Sequence, residues 1–247
     1  MKKLTLVFLI SLLLLNKLSF SQTKDTITLA YVAVEMYEID YATIKKIQKP
    51  KILDYEGSYH FGESEGESQL EIIYSNGKLF ARTEYNDWEQ NGWVLKHDRV
   101  PIIFVNNKIE TEGSIYSLYE CCQTTYLTLD EGDKGLVSHY YDKVESKNHH
   151  YIQFNPNSNI KKPKGKYPES SFVKLVLKDL TGIPKSELKI MRNEIFARNG
   201  YIFRSGGKMD NYFSKKEWYK SIEKKEKINF DDIEKYNMDM ILKLEKL

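Results

Sequence analysis

Leu70-Glu71-Ile72-Ile73-Tyr74-Ser75-Asn76-Gly77-Lys78-Leu79-Phe80-Ala81-Arg82 is a pair of β-forming runs joined by Asn-Gly. Asn-Gly between such runs is the strongest short hairpin signal, because a type I′ turn needs positive φ at both central residues. Leu70, Ile72 and Tyr74 alternate with Glu71 and Ile73, the period of a strand with two unlike faces. The same grammar continues on both sides. Ile102-Ile103-Phe104-Val105 is another such run, and Asn91-Gly92, Asn106-Asn107 and Gly132-Asp133-Lys134-Gly135 are turn signals. Regular short strands across 57–145 predict an antiparallel meander, either a small barrel or a strongly curved sheet. The β domain is placed at 51–152, after a lead-in segment, 22–50, with a strand and a short helix.

Further toward the N-terminus, Lys2 and Lys3 precede an apolar run from Leu4 to Leu15, and Ser19 and Ser21 stand at −3 and −1 before Gln22. This is the pattern of a secretory signal peptide, 1–21, cut after Ser21. The run is shorter than the roughly 20 apolar residues of a spanning helix, and no later stretch is long enough either. The chain is therefore expected to be exported, periplasmic or secreted, with no transmembrane helix after cleavage. Removing the signal takes the formal charge from +2 to −1. That total hides an asymmetry: 22–150 carries net −9 and 151–247 net +8. Opposite halves predict two domains that attract each other in a salt-sensitive way. Cys121 and Cys122 are adjacent, too close in Cα spacing for an ordinary disulfide, and on a strand they would face opposite sides.

Toward the C-terminus the composition changes. Residues 155–170 hold three of the six prolines and several lysines with almost no large apolar side chain, which reads as a linker, placed at 153–170. From Phe172 the periodicity is helical, and 171–247 is read as a small helical module. One helix is expected from Lys185 to Asn199, with Leu188, Met191 and Ile195 on one face and Gly200 ending it. A short helix near Met209–Lys215 follows. A last helix begins near Asn229 or Asp231, with Ile233, Tyr236, Asn237, Met240, Ile241 and Leu244 at helical spacing. The fold class is α+β.

The ordered features of this module are Asp179-Leu180, Glu187-Leu188, Met191-Arg192-Asn193-Glu194-Ile195-Phe196-Ala197-Arg198, Gly200-Tyr201-Ile202-Phe203, Tyr212-Phe213, Trp218-Tyr219-Lys220 and Ile233-Glu234-Lys235-Tyr236-Asn237. With them, 177–244 resembles the YARHG domain, a module of exported and envelope-associated bacterial proteins. Phe196 replaces the tyrosine of the naming motif and Asn199 its histidine, so chemistry resting on those two groups could not be repeated here. The resemblance implies an envelope context and no established reaction. In pattern alone, the Gly57–Gly62 opening and the meander after it resemble lipocalin-like barrels.

Candidate chemistry is set against ordinary structure at each point. Arg192 and Arg198, with Asn199, Trp218 and Tyr219, are the candidate ligand-binding set. Two arginines could take a carboxylate or phosphate, and aromatics interleaved with lysines could stack on sugars or bases. The structural alternative is a brace of Glu194, Gly200 and Tyr201, with Glu194 and Arg198 paired at i, i+4 and the aromatics as core. Lys161, Lys162, Lys164, Lys166, Lys224, Lys225 and Lys227 would attract anions. Gly62-Glu63-Ser64-Glu65-Gly66 matches the hydrolase nucleophile pattern but lacks a following helix. His149-His150 is a poor metal pair, and His60, His97 and His139 stand singly; a cluster of these with acids in a cleft would point to an enzyme. No metal or cofactor motif is present. The expectation is a non-catalytic envelope protein with an anionic envelope component or envelope protein as partner and no nucleic acid. The alternatives are a carrier of a small apolar ligand in the β domain and, third, a hydrolase.

Overall fold

The computed structural model describes residues 27–29, 37–39, 44–61, 68–90, 92–112, 114–122, 131–142, 147–154 and 160–247. The signal segment and 62–66 lie outside them. Three short strands open the chain, β1 (Ile27–Leu29), β2 (Tyr37–Ile39) and β3 (Ile44–Lys46). After a 3-10 turn at Ile52–Tyr55 come β4 (Gly57–Phe61), β5 (Ser68–Ser75), β6 (Lys78–Glu89) and β7 (Gly92–Val100), an antiparallel sheet in chain order. The remaining strands are β8 (Ile102–Val105), β9 (Lys108–Thr111), β10 (Ser114–Cys121), β11 (Lys134–Asp142) and β12 (Lys147–Phe154). With β1–β3 they make an eight-stranded sheet of order β2-β1-β12-β11-β10-β9-β8, β3 pairing β10. It is antiparallel except for β1 beside β12. Only Pro101 separates β7 from β8, and there the chain passes from one sheet to the other. A residue without an N–H cannot carry one ladder onward.

The Asn-Gly reading holds: Asn76 has φ +48° and Gly77 φ +83°. Asn106 and Asn107, at +50° and +59°, build the β8–β9 turn in the same way. The α+β class holds as well, but the sheets do not close into a barrel. Instead Tyr59, Leu70, Ile72, Leu79 and Ala81 of the smaller sheet pack against Ile109, Tyr116, Leu118 and Leu136 of the larger, with Tyr55 between them. Cys121 is buried and Cys122 exposed, with no bond joining their sulfurs.

The helices are α1 (Leu177–Leu180), α2 (Lys185–Arg198), α3 (Lys208–Phe213), α4 (Glu217–Lys220) and α5 (Asp232–Lys246). The α2 start matches the sequence reading, and its last helical residue is Arg198, one before the expected Asn199, with Gly200 following at φ +84°. At the start of α5 the Asp231 carboxylate accepts from the Glu234 N–H at 2.7 Å. Leu188, Met191 and Ile195 of α2 share a core with Ile241 of α5.

The same core contains Ile73 and Phe80, which belong to the four-stranded sheet. That explains the one apolar residue on the supposedly polar face of β5: Ile73 points at the helical module while Leu70 and Ile72 point at the other sheet. Burying Ile73 and Phe80 is worth about 1.5–3 kcal/mol each. The four-stranded sheet is thus a middle layer, covered by a sheet on one side and by helices on the other.

The segment read as a linker is not a loose tether from Ile160 onward; 155–159 lie outside the described residues. The Lys162 ammonium donates to the Tyr74 carbonyl at 2.6 Å and pairs with Glu56 at 2.8 Å. Asn76 donates to the Lys166 carbonyl at 3.1 Å, and Tyr167 is buried in the module core. Low side-chain hydrophobicity suggested a spacer, yet this backbone is held by hydrogen bonds that composition does not reveal.

Candidate functional site

The two arginines of α2 serve the interior. Arg198 donates to the Ser171 hydroxyl (3.0 Å), the Lys164 carbonyl (2.8 Å), the Ser170 hydroxyl (2.5 Å) and Glu194 (3.4 Å). Its side chain is 8 % exposed and that of Glu194 2 %. Burial lowers the Arg198 pKa, while Glu194, Glu234 and Glu169 act in the opposite direction. Glu194 also accepts the N–H groups of Lys166 and Tyr167, both at 2.8 Å. Gly165, at φ +117°, lets that carboxylate approach: a Cβ there would lie 2.6 Å from it. Arg192 makes a two-pronged pair with Glu245 of α5, at 2.6 and 3.2 Å.

Asn199 is likewise engaged inward, donating to Glu234 at 2.9 and 3.0 Å and to the Ile195 carbonyl at 3.0 Å. Burial raises the pKa of Glu234 and of Glu169, and one Glu169 oxygen is buried without a hydrogen-bond partner. Asn237, fully buried, donates to the Ser170 and Val173 carbonyls and accepts from the Leu175 N–H. Sequence reading missed Glu169, Ser170 and Asn237. Asn237 sat in plain view on the apolar face of the last helix, a polar residue at a core position.

The aromatic series is a core. Phe203 and Phe213 stack at 4.9 Å, and Tyr219 closes on both. Of the two ligand-binding candidates here, Tyr219 is 6 % exposed and donates to the Tyr201 carbonyl at 2.6 Å, and Trp218 packs half-buried against the same cluster. The Lys224 ammonium lies 3.2 Å from the centroid of its ring. Gly200 belongs to the brace, since a Cβ there would meet the Glu223 carbonyl oxygen at 2.3 Å.

What faces solvent lies elsewhere. At its base the β6–β7 hairpin is fixed to the helical module. Arg82 pairs with Glu71 at 2.6 Å, donates to the Phe172 carbonyl and covers the Phe172 ring at 4.4 Å. Arg99 grips Asp179 with two bonds, 2.8 and 3.2 Å, and donates to the Lys174 carbonyl. Beyond these anchors the hairpin runs out as an arm held by cross-strand pairs: His97–Glu84 (2.7 Å), Tyr85–Asp98 (2.8 Å) and Lys96–Asp87 (2.5 Å). The hydrogen bond to Asp87, then that to Glu89, pushes the Lys96 pKa up.

Between the arm and the module is a cleft of about 690 Å³. Arg82, Leu95 and His97 line one side, and Lys174, Asp231, Asp232 and Ile233 the other. His97 lines this cleft and pairs with Glu84 at 2.7 Å, a histidine–acid pair at its edge. No serine, threonine or cysteine lines that cleft. The pair also stands directly opposed across β6 and β7, the position of an ordinary cross-strand contact. His60, His139, His149 and His150 lie on β4, β11 and β12, and no group of three metal-ligating side chains occurs among the described residues.

With this geometry in view, the comparisons locate the module. The family model of the YARHG domain matches residues 167–246. That extends the resemblance of 177–244 back through Tyr167–Val176, the stretch that supplies the backbone partners of Asn237, the two serines on Arg198 and the Tyr167 N–H on Glu194. No curated protein and no solved structure matches the chain. Among the described residues no helix is long and apolar enough to cross a membrane.

Proposed function

We propose that the chain is a non-catalytic binding protein of the bacterial envelope, exported by its signal sequence, in which the YARHG domain is the scaffold. The carrying observation is the direction of the domain's polar groups. Arg192, Arg198 and Asn199 are satisfied by Glu245, Glu194, Glu234 and backbone carbonyls, while Arg82 and Arg99 tie the domain to the base of a projecting arm. Ligand contact then falls to the arm and the cleft beneath it, not to the arginine pair. The YARHG match supports the envelope setting, since the domain is one of exported proteins.

The test uses the chain from Gln22 onward, sedimented with purified peptidoglycan sacculi and, separately, with lipid vesicles. Association with one of them at micromolar protein is the expected result. Failure to sediment with either, at low and moderate salt, would overturn the reading. So would turnover of ester or glycoside substrates that disappears in His97→Ala, because the His97–Glu84 pair is the arrangement that favours a hydrolase.

A further inference from the structure

The tip of the arm carries four of the exposed large apolar side chains. Trp88 is 65 % exposed, Trp93 55 %, Leu95 52 % and Val94 40 %. Trp88 and Trp93 are directly opposed across β6 and β7, and Asn86 and Leu95 are opposed two residues further in. With the strand period of two, those four side chains share one face. The indoles meet edge to face, centroids 5.3 Å apart and planes at 78°. They line a cleft of about 580 Å³ with Glu89, Gln90, Gly92 and Val94. That volume is within the usual range for small-ligand sites.

We propose that this tip is a saccharide-binding site, for a neutral or N-acetylated pyranose chain; the proposal rests on the reading of the protein as an envelope binder. A pyranose ring with equatorial hydroxyls has an apolar face of C–H bonds that carry slight positive charge. That face matches the negative face of an indole, and two indoles at a right angle offer a floor and a wall for one sugar ring. The hydroxyls at the ring's rim need donors and acceptors beside the aromatic surface. The amides of Asn86 and Gln90, both exposed, supply both.

Charge separates this occupant from the others. The tip has two carboxylates, Asp87 and Glu89, against one ammonium, Lys96, and both pairs close at 2.5 and 3.0 Å. No basic side chain is left at the tip to attract phosphate or sulfate. An anionic lipid headgroup or a sulfated polymer would meet net negative charge, whereas an uncharged sugar would not. The arm also places its indoles beyond the packed base, where both keep most of their surface in water. A pair serving only to staple the hairpin needs contact along one edge and no hydrogen-bonding groups around it.

The experiment is calorimetric titration of the chain from Gln22 onward with N-acetylglucosamine oligomers and cello-oligosaccharides of two to six units. Sedimentation with neutral and anionic vesicles and with sacculi runs in parallel. The expected result is saturable binding that tightens with oligomer length, and a loss of about tenfold or more in Trp88→Ala and Trp93→Ala. Because those changes can loosen the arm, Asn86→Ala and Gln90→Ala provide a second reading. They leave the indoles in place and should each weaken binding by roughly fivefold. Sacculus binding that survives all four substitutions overturns the saccharide site and leaves the envelope reading standing. Trp-dependent binding to vesicles and not to sugars replaces the saccharide by a lipid surface. No binding to sugars, sacculi or vesicles overturns both.

Discussion

Arg198 is surrounded by acceptors from two parts of the chain. Glu194 is one turn behind it on α2, and Lys164, Ser170 and Ser171 come from the segment that precedes the helices. Its partners are arranged as a fork expects, so the charge is distributed over oriented hydrogen bonds rather than one contact. Arg198→Ala leaves the buried Glu194 without its compensating charge, and the seryl hydroxyls and the Lys164 carbonyl lose a donor. Breaking a buried pair from one side costs about 3–5 kcal/mol, and that loss is expected in the urea unfolding midpoint of the whole chain. Arg198→Lys should recover little of it, because a single ammonium cannot reach acceptors spread around the edge of the guanidinium, at Nε, Nη1 and Nη2. A loss below about 1 kcal/mol for the alanine variant would mean that the network is wetter and weaker than its geometry implies. The i, i+4 relation of Glu194 and Arg198 was legible in the sequence. The remaining partners lie about thirty residues away, and no local pattern announces them.

The elements differ in how far their residues reveal them. Asn76-Gly77 and Asn106-Asn107 encode turns through backbone φ alone, a strictly local property, and both turns form as expected. The C-terminal end of α2 was equally readable from Gly200. Ile73 was the informative anomaly on β5, because an apolar residue on a nominally solvated face implies a second covering layer. Its partner could not be named without the fold. The same holds for the arm: an Asn91-Gly92 turn would set Gln90 opposite Trp93, whereas Glu89 pairs with Gly92 and Trp88 with Trp93, so neither the register of the indoles nor their exposure was legible. At the arm's base, Arg99 on β7 and Asp179 on α1 couple two elements that are 80 residues apart. A double-mutant cycle with Arg99→Ala and Asp179→Ala should give a coupling energy on the order of 1–2 kcal/mol, since the pair is two-pronged and only partly solvated. Hydrogen exchange at the α1 amides should quicken in either variant. Strict additivity of the two substitutions would show the pair to be an incidental surface contact.

For the whole molecule, the question is whether the oppositely charged halves are two bodies held by salt-sensitive attraction. The charge count favours that arrangement, and the packing opposes it. Ile73 and Phe80 of the four-stranded sheet are buried in one core with Phe172, Leu175, Leu188, Met191, Ile195 and Ile241. Apolar burial of this kind is not screened by salt, and the ion pairs at the boundary, Arg82–Glu71 and Arg99–Asp179, are partly shielded from it. Raising sodium chloride to about 1 M should therefore leave the radius of gyration unchanged, at a concentration where exposed charges lose sight of each other within about 3 Å. The stronger consequence is cooperativity. A helical domain whose core borrows two side chains from a neighbouring sheet cannot keep that core when the sheet is removed. A fragment of 160–247 alone should retain helical far-ultraviolet dichroism while losing most of its near-ultraviolet signal, and the whole chain should lose sheet and helix signals in one transition. If the fragment melts as sharply and at the same temperature as the intact chain, the YARHG domain is self-sufficient, and the sheet beneath it is a neighbour rather than part of its core.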